Sequence, residues 1–460
     1  MKKLHLTLIL LLCSCLMAAT ISLEESLVLA KENNKDYQSR QYSYRSSVWN
    51  ERNALSGFFP RVSFNSTLVR IDSGTYEDAN AVMEAPVYGL DGEIIGNFPM
   101  SSAALGTGIY RTSYNNNIIV QQPLFNGGKV ILGYQMARLS LQQAKLDLLN
   151  SESDLRYQVA ALYFGLLELQ DLQKLANKSL SSARSHLEKV QQKYELGLGK
   201  QSDLLQWQLK VKNEEASLME IESSFSEMSN LWKILLGTGE FIEPQPVALA
   251  GYDEEILYWN AMREEEKKEQ SREFLALVEE NSPTLAGLAL TRNIMQKKHQ
   301  LSWGNFLPSL NLQFTYEIEN DDRWDLEGND NWNLAAVISL PLFTAGDNYT
   351  RLRQSKYELE STRAVTEYAE EHYLVNAENV FHRILIKARA VTDSRTALEL
   401  AEENHRVVNQ LYEQGMVTNS DLLDAETMLF GSEMNQLSSY YEFIITKYEM
   451  DRYIYQGSEK

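Results

Sequence analysis

The chain has 460 residues, 44% of them hydrophobic and 23% charged, which supplies a packed core and argues against disorder. A formal net charge of −20 excludes nucleic acid as an expected partner, because phosphate binding needs a basic face. Both cysteines, Cys13 and Cys15, lie near the start, so the rest of the chain carries no disulfide or thiol chemistry.

Met1 to Ala19 has Lys2 and Lys3, an apolar run from Leu4 to Leu12, and small residues at Ala18 and Ala19. This is the pattern of a secretory signal peptide cut near Ala19 or Thr20, too short for a stable membrane span. Leu12-Cys13-Ser14-Cys15 also faintly resembles a lipoprotein cleavage site that would leave Cys15 acylated, and both routes stay open. The expected mature protein is exported and has no transmembrane helix.

An amphipathic helical pattern follows from Leu23 to Ser56 and stops at Gly57-Phe58-Phe59-Pro60. Strands are expected at about 61–71 and 115–125, where Val62, Phe64 and Leu68 alternate with polar residues and Ile118 to Phe125 returns. The intervening Asp72–Asn117 reads as an exposed loop. Lys129 to Leu196 is one long helix, interrupted only by Gly133 and Gly165, and would span roughly 100 Å at ~1.5 Å per residue. Positions Leu155, Val159, Leu162, Leu166, Leu169, Gln173, Ala176, Leu180, Ala183, Leu187, Val190 and Tyr194 fit a heptad, the mark of coiled-coil packing. Gly197 fits a left-handed helix cap, Ser202 a helix N-cap and Asp203 a first-turn acid, as do Gly415, Ser420 and Asp421 further along the chain. A return helix then runs to about Leu236. Gly237 to Tyr252 is a linker, and Asp253 to Gln270 a charged helical insert.

The same order then repeats. A helix over Glu273–Ser302 leads to Pro308, and complete period-two alternation marks strands at about 309–319 and 332–342. Asp347 to Gln414 is a second long helix without Gly or Pro, and a second return helix ends near Tyr455. Pro123-Leu124-Phe125-Asn126-Gly127-Gly128 recurs 218 residues later as Pro341-Leu342-Phe343-Thr344-Ala345-Gly346. The window Tyr194–Leu205 recurs at the same offset as Tyr412–Leu423, with seven of twelve residues identical. One register held by two distant windows means the segment between them was duplicated. The helix stops Pro60 and Pro308 are instead 248 apart, so the first copy carries about 30 extra residues between Pro60 and Pro123. The expected organisation is therefore a first repeat over 20–236, a linker and equatorial insert over 237–270, a second repeat over 271–456, and a short tail at 457–460.

A helix, two bilayer-length strands, a long helix and a helical return, duplicated behind a signal peptide, resembles the TolC-type outer-membrane efflux channel family. The resemblance rests on the duplicated Pro-Leu-Phe-x-x-Gly joint and the duplicated Tyr-Glu-x-Gly…Ser-Asp-Leu-Leu turn, and covers nearly all of the mature chain. It implies a mainly α fold with a β-barrel contribution. A homotrimer would build a twelve-stranded outer-membrane barrel on a long α-helical periplasmic barrel. Elementary chemistry points the same way, since four strands cannot close a barrel and open edges are not tolerated in lipid.

The resemblance also nominates site residues. Asp421-Leu422-Leu423-Asp424-Ala425 is similar to the family's periplasmic entrance motif, in which rings of aspartates line the narrowest point. Tyr412 matches the constriction tyrosine, and Ser202 and Asp203 match its partners on the neighbouring turn. Val417 stands where the family carries a latch arginine, and Gln206 stands opposite Asp424 in the first copy. From the residues alone, Asp421 and Asp424 read equally as helix-start acids, and Tyr412 as a core residue closing the heptad. The turns containing Gly197, Leu198, Gly415 and Met416 are the expected contacts for a periplasmic adaptor (membrane fusion protein) that serves an inner-membrane pump. Phe58, Phe59, Tyr110, Phe125, Phe306, Trp324, Trp332 and Phe343 fit interfacial aromatic girdles, or packing at turns.

Histidines are scattered without metal-pair spacing, and no catalytic triad or phosphate loop is present, so neither enzyme activity nor a cofactor is expected. Two other functions compete with a passive efflux or type I secretion duct. A periplasmic coiled-coil adaptor would show one hairpin and no bilayer-length strands, and an exported hydrolase would show a catalytic constellation.

Overall fold

The computed structural model describes residues 20–101, 109–320, 323–327 and 329–454, with only the backbone of Asn329. The expected signal segment and the C-terminal tail lie outside these residues. In chain order the elements are α1 (Leu23–Asn33), α2 (Lys35–Ser56), β1 (Arg61–Arg70), α3 (Ser73–Ala79), β2 (Val82–Tyr88), β3 (Ile94–Ser101), β4 (Thr112–Asn126), α4 (Lys129–Glu195) and α5 (Gln201–Leu236). There follow α6 (Asp253–Ala261), α7 (Glu264–Asn281), α8 (Pro283–Trp303), β5 (Ser309–Asn320), β6 (Asn329–Ser339), α9 (Asp347–Glu413) and α10 (Asn419–Ile454). The long helices α4 and α9 have 67 residues each, and the returns α5 and α10 have 36 each. The chain divides into two compact units, one of Val48–Ser140 and Asn293–Thr362, the other of Met1–Ser47, Leu141–Arg292 and Arg363–Lys460.

The first of these holds the sheet, antiparallel throughout and ordered β1-β4-β5-β6. Alternation sorts its side chains onto two faces. Leu310 pairs with Ile338, Leu312 with Ala336, Phe314 with Leu334 and Tyr316 with Trp332 on the apolar face. The opposite face is an amide ladder: Asn65 donates to Asn117 (3.0 Å), Asn117 to Asn115 (3.3 Å), Asn115 to Glu317, and Gln121 to Gln313 (3.2 Å). At one end the apolar face turns polar and is covered by the β5–β6 connection. The Trp324 indole donates to Ser66 Oγ (3.0 Å) and the Asn116 amide to the Asp325 carbonyl (3.0 Å), leaving Asn116 buried.

Several boundaries differ from the sequence reading, each for a local reason. The stretch expected as an exposed loop after β1 contains α3 and the β2–β3 hairpin, paired from Val82↔Ser101 to Tyr88↔Ile94. Strand β6 ends at Ser339, before Pro341, which has no N–H to give a ladder. In β4 the register shifts between Pro123 and Phe125, again at a proline. The first amphipathic helix is broken at Asn34, whose backbone is extended (ψ 123°) and whose side chain caps α2 by accepting from Tyr37 N at 2.9 Å. Ser282 makes the matching break between α7 and α8. The insert is also divided: α6 stops at Ala261, and α7 begins at Glu264 and runs through the expected start of the second repeat.

The second unit is a layered helix pack. Tyr163, Phe164, Leu166, Trp232, Phe381, Ile384, Phe443 and Ile444 form its centre, each no more than 2% exposed. The heptad positions Val159, Leu166, Ala176, Leu180, Ala183 and Val190 of α4 are buried, as are Ala377, Ile384, Val391 and Ala401 of α9. A fully buried Leu, Val or Phe contributes roughly 1.5–3 kcal/mol, so this seam, more than helix propensity, holds the helices. The linker ties down the start of the described chain. Ile21 N donates to Glu243 O and Gln245 N to Ile21 O (2.9 Å each), while Trp232 Nε1 donates to Ile242 O (2.9 Å).

The duplicated strand-to-helix joint places Gly127 at φ +67°, where an added Cβ would run into the Gly304 carbonyl. Its counterpart Ala345 is held at φ +50°. Gly127→Ala should therefore cost roughly 2 kcal/mol or more. Gly133→Ala, in a helix with open space around it, should gain roughly 0.5–1 kcal/mol. Thermal unfolding in detergent compares the two; equal melting temperatures would show that the joint is not tightly packed.

Candidate functional site

The residues nominated at the two turns lie in the helical unit, and each turn is built the same way. Gly197 sits at φ +73°, its N–H donating to Tyr194 O, while Leu198 N donates to Lys193 O (2.9 Å each). Gly415 also sits at φ +73°, donating to Tyr412 O (3.0 Å), with Met416 N donating to Leu411 O (2.9 Å). Both are Schellman endings, in which glycine takes the left-handed place without the strain a Cβ would bring. They leave Leu198 79% and Met416 70% exposed, large apolar side chains held out in solvent.

The helix starts differ from the sequence reading. Ser202 is not a cap: α5 begins at Gln201 behind Lys200, which makes no side-chain capping bond, and Ser202 Oγ contacts only Asp203 Oδ1 at 3.4 Å. Nor is Ser420, because α10 begins a residue earlier. There Thr418 and Asp421 cap reciprocally: Thr418 N and Oγ1 donate to Asp421 Oδ2 (2.7 and 2.6 Å), and Asp421 N donates to Thr418 Oγ1 (3.3 Å). Thr418 thus takes the Ncap place, two positions before Ser420. The Thr418 hydroxyl and then its amide hold the Asp421 carboxyl below the usual carboxylate range.

Asp421 and Asp424 are both exposed. Tyr412 is half-buried against the cluster of Leu180, Val190, Trp207 and Leu422, and Lys193 Nζ lies 5.6 Å from its ring centroid. Burial, and secondly the charge of Asp203, raise its phenol above the ordinary tyrosine range. The structure thus brings Tyr412, Asp203 and Lys193 together. Val417, where the resemblance puts a latch arginine, has no charge to add.

The sequence reading missed the polar contacts that join the copies beside these turns. The fully buried Trp207 donates its indole N–H to Asn419 Oδ1 at 2.6 Å, and Asn419 Nδ2 donates to Gln206 Oε1 at 2.9 Å. His186 stacks on Trp207 with centroids 4.8 Å apart, and its Nε2 lies 3.0 Å from Glu426 Oε1. The available signal was in the unequal positions of the repeat: Trp207 stands opposite Ala425, and Asn419 opposite Gln201.

With this geometry in place, comparison with known proteins defines the class. The sequence profile described as outer membrane efflux protein matches residues 27–237 and 275–447. The chain belongs to the outer membrane efflux protein family: it is an outer-membrane protein with the fold of a TolC-type channel subunit. The alkaline protease secretion protein AprF of Pseudomonas aeruginosa is 24% identical over 346 residues, 71% of this chain and 66% of that one. This chain thus spans slightly less than two thirds of the length of AprF. The outer membrane protein TolC of Vibrio cholerae is 20% identical over 336 residues, 70% of this chain and 73% of that one. Among solved structures, the outer membrane protein VceC of Vibrio cholerae has a TM-score of 0.72 at 15% identity, covering 95% of this chain and 97% of that one. The outer-membrane channel OprN gives 0.73 at 14% identity over 95% and 90%. No described helix is long and apolar enough to cross a membrane.

A capping carboxylate with a depressed pKa stabilises the fold above its unfolded pKa and loses that contribution as pH falls through the folded value. Amide exchange in the first turn of α10 should therefore rise relative to the rest of α10 as pH is lowered through the acid range below 4. Asp421→Asn should remove that dependence. The same profile in the variant would assign the titration to another group.

Proposed function

We propose that three copies of this chain form the exit duct of a tripartite efflux pump or type I secretion system. The duct would passively conduct what an inner-membrane transporter and a periplasmic adaptor deliver. The observation that supports this best is the four-stranded sheet with one apolar and one amide-lined face and unpaired outer edges at β1 and β6. Three such sheets, edge to edge, give a twelve-stranded barrel with lipid outside and an amide-lined lumen. The duplicated long hairpins then become the periplasmic tunnel. The likeness to AprF, named for alkaline protease secretion, supports including protein among the cargo. Such a duct works by confinement and selectivity and needs no catalytic group or cofactor.

In this reading Gly197, Leu198, Gly415 and Met416 form the adaptor-docking tips, with Leu198 and Met416 as the exposed apolar contacts. Asp421 and Asp424 line the resting entrance, with Tyr412, Ser202 and Asp203 beside it. Carboxylates ringed about one axis favour cations, and a narrow mouth screens them less than bulk water does.

Single-channel recording in planar lipid bilayers tests the reading. The wild type should conduct with cation preference, and Asp421→Asn combined with Asp424→Asn should lose most of it. An unchanged reversal potential in the double variant would remove the entrance from these residues, and absence of channels would remove the duct.

A further inference from the structure

We propose that Trp207 and Asn419 are positioning residues for the entrance, fixing the second-copy turn to the first-copy hairpin so that Asp421 and Asp424 are held toward the pore; this rests on the entrance reading above. Asn419 is the first residue of α10 and is 6% exposed. Its amide oxygen takes the N–H of an indole with no exposure, and its amide nitrogen is used by Gln206. A buried indole N–H needs an acceptor, so the turn cannot move away without breaking this bond.

The anchor belongs to a stripe along α10. Asn419, Glu426 and Glu433 follow at heptad spacing and bind the first copy: Glu426 contacts His186 at 3.0 Å and Glu433 contacts Lys178 at 3.0 Å. Beside them Thr427 accepts from Lys210 Nζ (3.1 Å), which also pairs with Glu214 at 2.7 Å. At ~100° per residue, Asp421 and Asp424 fall on the side of α10 roughly opposite this stripe. One face is thus tied to α4 and α5, and the other presents the carboxylates.

The arrangement is one-sided. The positions equivalent to Trp207 and Asn419 under the repeat are Ala425 and Gln201, and alanine has no donor. Only the second-copy turn, which carries the acidic pair, receives the anchor.

The test uses the full-length protein purified in detergent and reconstituted in lipid. Trp207→Phe keeps most of the ring and removes the N–H, and Asn419→Leu removes both polar ends. In Trp207→Phe and Asn419→Leu, amide exchange over residues 414–424 should rise roughly tenfold, the factor that loss of one buried hydrogen bond produces. Resting conductance should rise with it and cation preference should fall. Unchanged exchange in both variants would overturn the anchor, wherever the entrance lies. Faster exchange with wild-type conductance and reversal potential, in a protein where Asp424→Asn alone shifts that potential, would leave the entrance in place and overturn the positioning role. No effect of Asp424→Asn would overturn the entrance reading and this inference together.

Discussion

An open strand edge presents a row of N–H and C=O groups that water satisfies and hydrocarbon does not. The sheet here has two such edges, β1 and β6, and its apolar face suits it to lipid. Everything else in the chain answers that constraint. Duplication supplies two hairpins joined through β4 and β5, and in the proposed duct further copies of the chain supply the pairing for the outer edges. That proposed association would bring the long helices together around one axis, extending the helix-on-helix packing that the heptad seams of α4 and α9 already make within the chain.

Duplication gave two copies of each part, and the copies differ at particular positions. The strand-to-helix joint keeps Gly127 in the first copy and tolerates a strained Ala345 in the second. The Schellman turns remain alike, but only the second has a side-chain cap, from Thr418, and an anchor, from Trp207. Under the proposed function, the fastened second-copy turn would carry the entrance carboxylates, while the exposed Leu198 and Met416 at both tips stay available to an adaptor.

Much of this was legible from pattern. The period-two run from Leu310 to Ile318 and the heptads of the long helices each express one dominant physical demand, so the residues spell it out. The β2–β3 hairpin was not legible, because its Pro, Gly and Asn residues read as loop while cross-strand pairing overrides them. The helix break at Asn34 was signalled by Asn33-Asn34 yet passed over, since a capping side chain looks like an ordinary polar one until its partner is known. Caps at Ser202 and Ser420 would start both helices two residues late, because Lys200 holds the first Ncap place without a side-chain bond and Thr418 holds the second with help from Asp421. Of the site, the acidic pair and Tyr412 were visible through resemblance to the family. The Trp207–Asn419 bond joins residues 212 apart and follows from no local rule.

The central claim is that the open sheet closes through three copies. Imaging of the full-length protein in lipid nanodiscs tests it most directly. A threefold particle with a twelve-stranded barrel, β1 of each copy paired to β6 of the next, is the expected result. A barrel closed within one chain, or a particle with any other number of copies, would contradict it.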